Sequence, residues 1–197
     1  MNIKELIKEM TLEEKIGQLN QSAYIPEKID EIEDRIRSGR VGSIILAQSA
    51  FAGNDKSCTT KYERLNRLQR IAVEETNLHI PILFGKDVIH GHKTVFPIPL
   101  AMAASFNMEL IKKSYECIAK EAYNDGIKWT FAPMLDLSRD PRWGRIIESA
   151  GEDPYLAQNV AKAVIGGFQG DDYSVAGKLC ACAKHFVGYG ASEGGRD

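Results

Sequence analysis

The sequence predicts an α/β fold, about four β/α units amounting to half of a (β/α)8 TIM-like barrel with long strand-to-helix loops. Short apolar runs alternate along the chain with segments of helical periodicity. Connections leaving a strand are long and rich in Gly, Pro, His, Arg and Asp, whereas those entering one are short, as at 77–79 and 125–127. Long connections inside a compact domain are usually functional, and parallel strands gather them at one rim, the layout of a barrel enzyme. A closed barrel needs eight strands and about 250 residues. The expectation is therefore a half barrel with two open edges, completed by further residues or by a complementary or self-associating chain. A small self-contained α/β sheet is the alternative.

The 197 residues are 44% hydrophobic and 26% charged, a composition that can bury one core. Lys and Arg number 25 against 27 Asp and Glu, a net charge of −2 with no basic run. The electrostatic footprint of a nucleic-acid partner is missing. No apolar run approaches ~18 residues, so no membrane span is expected. The segment MNIKELIKEMTLEEK lacks a secretory h-region, which favours a cytoplasmic location. The four cysteines, Cys58, Cys117, Cys180 and Cys182, do not make a disulfide framework at this length. Cys180 and Cys182 read as reduced, buried apolar residues, and no cofactor is expected.

In chain order, residues 3–20 are helical with a break near Met10. Thr11 and Glu14 have capping-box spacing, and Leu12, Ile16 and Leu19 share one face. Ile29, Ile32 and Ile36 mark an amphipathic helix closed by Gly39. Residues 41–46 form a buried strand, 47–60 a loop and 61–75 a helix carrying Leu65, Leu68 and Ala72. A strand spans 80–84, with Pro81 tolerated near its start. After the connection 85–106, Asn107 caps a helix with the stripe Leu110, Ile111, Tyr115, Ile118 and Ala122, ended by Gly126. Residues 128–133 are the next strand. Asp153 and Pro154 then open a helix as N-cap and N1, with Leu156, Val160, Val164 and Phe168 inward and Gly170 as its stop. The last strand, 180–183, runs into Lys184, His185 and a glycine-rich loop.

Chemistry concentrates where these strands end. Asp87, Arg145 and the pair Lys184–His185 follow successive strands and fall on one rim. A carboxylate, a guanidinium, an ammonium and an imidazole there suit hydroxyls that both donate and accept. Trp143 offers either an apolar face for a sugar ring or a brace for its own loop. Asp136 and Asp140 read as turn and salt-bridge residues with Arg139 or Arg142 rather than as a catalytic pair. Glu148 and Glu152 read as capping or loop-bracing groups. Met102, Met108 and Met134 read as packing, and Trp129 as core. His90 and His92 form an H-x-H pair without an evident third ligand, so no metal site is assigned. A metal-dependent barrel hydrolase using His90, His92 and His185 is kept as an alternative.

Three stretches, FGKDVIHGHKTVFPIPLAMAASFN, FAPMLDLSRDPRWGRIIESAGEDP and AKHFVGYGASEGG, together resemble glycoside hydrolase family 3 in its β-glucosidase/β-xylosidase branch. The likeness runs from about Lys15 to the final residue. It implies the N-terminal half of that family's barrel domain, with helices over 1–40, about four β/α units over 41–197 and a second α/β sandwich domain absent. It implies that Asp87 binds sugar hydroxyls next to the scissile bond, and that Arg145 and the Lys184–His185 pair belong to the same subsite. The implied substrate is a β-glucoside, β-xyloside or oligosaccharide. The implied mechanism is retaining, with two carboxyl groups about 5 Å apart. The family's nucleophile lies in an S-D-W-like segment that these residues do not contain, and its acid/base comes from the second domain. No catalytic residue is therefore assigned within 1–197. The loop VGYGASEGGRD holds no histidine, which disfavours the subgroup that cleaves N-acetylglucosamine.

Overall fold

The computed structural model describes residues 2–46 and 62–195; the predicted loop at 47–60, with Cys58, lies outside them. The chain forms two compact units, Met1–Lys86 and Asp87–Asp197.

The first unit opens with α1 (Ile3–Glu9) and α2 (Leu12–Gln18), separated at Met10 as predicted. The Thr11 hydroxyl accepts from the Glu14 main-chain N–H at 3.1 Å, and the Glu14 carboxylate accepts from the Thr11 N–H at 2.8 Å. This reciprocal cap satisfies two donors that would otherwise be orphaned and contributes about 1 kcal/mol. The stripe on α2 faces solvent, with Leu12 68% exposed, Ile16 58% and Leu19 88%. A strand follows, β1 (Gln21–Ala23), where helices alone are expected over 1–40. The helix α3 (Ile29–Arg37) buries Ile32 and Ile36.

Two further strands, β2 (Ser43–Ile45) and β3 (Leu83–Lys86), flank α4 (Tyr62–Glu74) in sequence. β1 pairs in parallel with β2, and β2 with β3, with Ile44 opposite Phe84. Both side chains are essentially inaccessible, as are Leu65, Leu68 and Ala72 of α4. β3 begins later than predicted for a physical reason. Pro81 has no N–H to give, and the Ile82 N–H and carbonyl are both taken by the Gln69 side chain, at 2.9 and 2.7 Å. Glu33 is buried on α3 and accepts from Arg37 at 3.1 Å and Arg67 at 2.9 Å. A carboxylate removed from water requires such partners.

The second unit contains α5 (Pro99–Ala103), within the predicted connection 85–106, then α6 (Met108–Asn124) and α7 (Pro154–Gln169). Asn107 and Asp153 accept from the N–H groups of Leu110 and Leu156 at 2.9 and 2.8 Å, the predicted caps. Helices α6 and α7 pack closely at Gly167, where a Cβ would lie 2.6 Å from Tyr115 Cβ and 2.7 Å from the Lys112 carbonyl oxygen. The Tyr115 and Phe168 rings meet edge to face at 4.9 Å. Burial pushes the Tyr115 hydroxyl pKa up, and the group donates to the Ile89 carbonyl at 2.9 Å. Leu110, the first residue of the predicted stripe, is 56% exposed.

The strand β4 (Trp129–Thr130) is shorter than predicted. The predicted strand at 180–183 is present as parallel bridges, Trp129 with Cys180 and Met134 with Lys184. Main-chain bonds nevertheless run the length of the two segments. Thr130 donates to Cys180, Cys180 to Lys128, Cys182 to Ala132, Lys184 to Pro133 and Leu135 to Lys184, between 2.6 and 3.1 Å. Cys180 and Cys182 are free and half-buried rather than buried. Trp129 is likewise half-buried, edge-on to Phe131 at 4.8 Å. No helix among the described residues is long and apolar enough to cross a membrane.

Candidate active site

The parallel register at Met134–Lys184 fixes which side chains meet beyond the bridge. Asp136, after Leu135 on one segment, and His185, after Lys184 on the other, are brought together. Asp136 Oδ2 accepts from the His185 main-chain N–H at 3.1 Å and lies 2.8 Å from the ring Nδ1. The Asp136 side chain is 2% exposed and that of His185 32%. A turn role for Asp136 with Arg139 or Arg142, expected from the sequence, is thereby corrected. The register commits this carboxylate to His185, while Arg142 pairs with Asp140.

Lys184 Nζ donates to Asp87 Oδ2 at 2.9 Å, with the lysine side chain 15% exposed and the carboxylate 42%. Arg145 is held by Glu148 through two parallel bonds of 2.6 Å, from Nε to Oε1 and from a terminal nitrogen to Oε2. This fork geometry is the strongest arrangement available to the pair. The Glu148 carboxylate raises the Arg145 pKa against the opposing effect of burial, and the charges of Asp87 and Asp136 add to the rise. Asp87, Arg145, Lys184 and His185 therefore share one electrostatic neighbourhood, with three carboxylates facing two permanent cations.

Tyr189, not singled out from the sequence, lies among these groups. Its ring meets His185 at 4.7 Å and Trp143 at 5.4 Å, both edge to face, and Arg145 Cζ lies 5.3 Å from its centroid. Trp143 is 1% exposed, so the ligand-stacking role is corrected. A ring with no open face cannot stack on a sugar, and Trp143 braces Tyr189 instead. The tight approach of this loop depends on Gly190, where a Cβ would lie 2.5 Å from the Leu137 carbonyl oxygen. An open cleft of about 430 Å³ is lined by Arg145, His185, Phe186, Val187, Gly188 and Tyr189. Phe186 is fully exposed at its edge and Val187 82% exposed.

The histidines of the metal alternative are engaged elsewhere. His90 Nδ1 lies 2.9 Å from the Phe96 carbonyl, a loop-fixing bond, and His92 Nε2 lies 2.9 Å from Asp125. Burial alone would raise the Asp125 pKa, but hydrogen bonds from Lys93 and His92 outweigh it and hold it low. No cluster of three or more His, Cys, Asp or Glu among the described residues is arranged to hold a metal ion.

Charged side chains collected where parallel strands end define an α/β domain of the barrel-enzyme class. Residues 11–197 match the model of the glycosyl hydrolase family 3 N terminal domain. The chain is 37% identical over 196 residues to a periplasmic β-glucosidase of Salmonella typhimurium, covering 99% of this chain and 24% of that protein. It is 32% identical over 217 residues to a lysosomal β-glucosidase of Dictyostelium discoideum, covering 99% and 26%. The solved β-glucosidase of Listeria innocua in complex with glucose superposes with a TM-score of 0.82 at 37% identity, covering 97% of this chain and 27% of that one. The chain belongs to glycosyl hydrolase family 3. Its fold class is that of the family's TIM-barrel-like N-terminal domain. It spans about a quarter of the length of these relatives.

These relatives also overturn the cytoplasmic expectation. One is periplasmic and another lysosomal. The address of an exported protein resides in a removable leader, so the composition of a domain does not record its compartment.

Proposed function

We propose that this chain is part of an N-terminal barrel domain of a retaining β-glycosidase and supplies its sugar-holding subsite. Asp87, Arg145, Lys184 and His185 grip the hydroxyls of a terminal, non-reducing β-D-glucosyl or related residue. The two carboxyl groups that break the bond are not assigned to residues 1–197. The observation that carries this reading is an open cleft lined by Arg145 and His185, with Lys184, next to His185 in the chain, paired to Asp87, whose charge acts on Arg145. Pairing holds each charged group at a fixed angle without consuming all its bonding capacity, so ring hydroxyls meet pre-oriented donors and acceptors. The glucose complex of the Listeria enzyme supports the same substrate class.

The test is glucose binding by the 197-residue chain, with Asp87→Ala and Lys184→Ala as controls. Saturable binding lost in both variants is expected, together with no turnover of an aryl β-glucoside. Binding unaffected by either substitution, or turnover abolished by a substitution within 1–197, overturns the assignment.

A second reading, association with a complementary chain or another copy, is favoured by the solvent-facing Leu12 and Ile16 of α2 and Leu19 just after it. Light scattering checks it. A mass that rises with concentration is expected on this reading, and a monomer throughout removes it.

A further inference from the structure

The site holds three carboxylates, and the proposed function uses one of them, Asp87, on the sugar. Glu148 is committed to Arg145 by both oxygens. Asp136 is the third, and its surroundings specify a task. A buried carboxylate oxygen 2.8 Å from an imidazole nitrogen requires a proton between them, because two lone pairs at that distance repel. Nδ1 therefore carries the proton, and in the neutral form of the ring the remaining lone pair is on Nε2. The ring plane is also fixed, since the same Asp136 oxygen anchors the His185 main chain and Tyr189 meets the ring edge to face at 74°.

We propose that Asp136 is a positioning residue that locks His185 in the Nδ1–H tautomer, so that Nε2 accepts a hydrogen bond from a hydroxyl of the bound sugar. Arg145 and Lys184 can only donate. With the tautomer fixed, His185 joins Asp87 as an acceptor, and the site matches hydroxyls in both of their hydrogen-bonding roles. The tautomer stands on the geometry alone, whereas the use made of Nε2 rests on the sugar-holding reading of the site.

Long-range proton–nitrogen correlation spectra of the 197-residue chain test this at about pH 8, where an ordinary imidazole is neutral. The His185 signals are assigned by their loss in His185→Gln. Wild type is expected to carry its proton on Nδ1, Asp136→Ala to release it to Nε2, and Asp136→Glu to retain the wild-type form. A wild-type ring protonated on Nε2, or an Asp136→Ala ring unchanged from wild type, overturns the tautomer lock. Should Asp136→Ala not fold, the wild-type and Asp136→Glu spectra decide.

Glucose is then titrated in the same spectra. A shift at Nε2 is expected, with binding about tenfold weaker in Asp136→Ala, as befits a disordered hydrogen-bonding partner. Unchanged affinity in that variant overturns the positioning role. Absence of glucose binding by wild type, with the Nδ1–H form intact, removes both the sugar-holding reading and the use of Nε2 while the lock itself survives.

Discussion

Lys184 Nζ stands 2.9 Å from Asp87 Oδ2, although 97 positions separate the two residues in sequence. With the carboxylate 42% exposed, solvent screens the attraction, and such pairs contribute at most about 1 kcal/mol. Asp87→Ala is accordingly expected to lower stability by less than about 1 kcal/mol in urea unfolding. In glucose titration calorimetry it should weaken binding by about 2–4 kcal/mol, because hydroxyls and Lys184 lose a shared partner. A loss of stability exceeding the loss of affinity would mark Asp87 as structural.

Glu148 serves a different cation, Arg145. Both members of this pair are about one quarter exposed, at 24% and 23%, and two charge-assisted bonds fix the guanidinium. Glu148→Ala should cost about 1–2 kcal/mol of stability, with Glu148→Gln intermediate. A double-mutant cycle with Arg145→Ala should return a coupling of about 1 kcal/mol. Additive single effects would show the fork to be unimportant.

Adjacent glycines on α7 predict opposite outcomes. A Cβ on Gly166 meets little beyond the Lys112 Cε at 3.7 Å, the end of a flexible side chain, whereas one on Gly167 strikes Tyr115 Cβ at 2.6 Å. Gly166→Ala should therefore stabilise by up to about 1 kcal/mol through helix propensity. Gly167→Ala should destabilise by about 1–3 kcal/mol by forcing α6 and α7 apart. Thermal unfolding of the two variants reads the difference directly, and matching shifts would refute the close approach.

The Asp140 carboxyl titrates at about 2, below its ordinary 3.8, because the Arg142 side chain and main-chain N–H both bond to its ionised form. A folded pKa below the unfolded one means that the pair's stabilisation is present above pH 3.8 and is lost as pH falls through about 2. Carbon-13 titration should return Asp140 to its ordinary range in Arg142→Ala. An unchanged midpoint would dissolve the link.

Much of this molecule could be read in advance, and the exceptions have physical causes. Thr11, Asn107, Asp153 and Pro154 act within their own helix turns, so local spacing suffices to recognise them. Asp87, Lys184 and His185 could be singled out as candidates because they follow apolar runs, and Arg145 because it stands in a distinctive motif; their sugar-holding role is the proposal made above. β1 was not, since Gln21–Ala23 is held by main-chain bonds to β2 and carries no apolar run of its own. Asp136 escaped because its partner is chosen by the register of a segment 49 positions away. For Trp143 the sequence leaves stacking and bracing both open, because residue type announces an aromatic surface but not which neighbour covers it. Tyr189 belonged to a motif already noticed, and a ring between two glycines beside Lys184–His185 was the available signal.

The strand pairings within Met1–Lys86 bear on how this protein is made. Each parallel ladder there joins a strand to the one synthesised just before it, β2 onto β1 and β3 onto β2. These ladders need no partner encoded further downstream, so the nascent chain can accrete its opening sheet as it leaves the ribosome, in the order of translation. Ribosome-bound chains stalled far enough beyond Lys86 for β3 to clear the exit tunnel should already resist limited proteolysis over residues 21–46 and 62–86, and full sensitivity there would mean that the sheet assembles only after release.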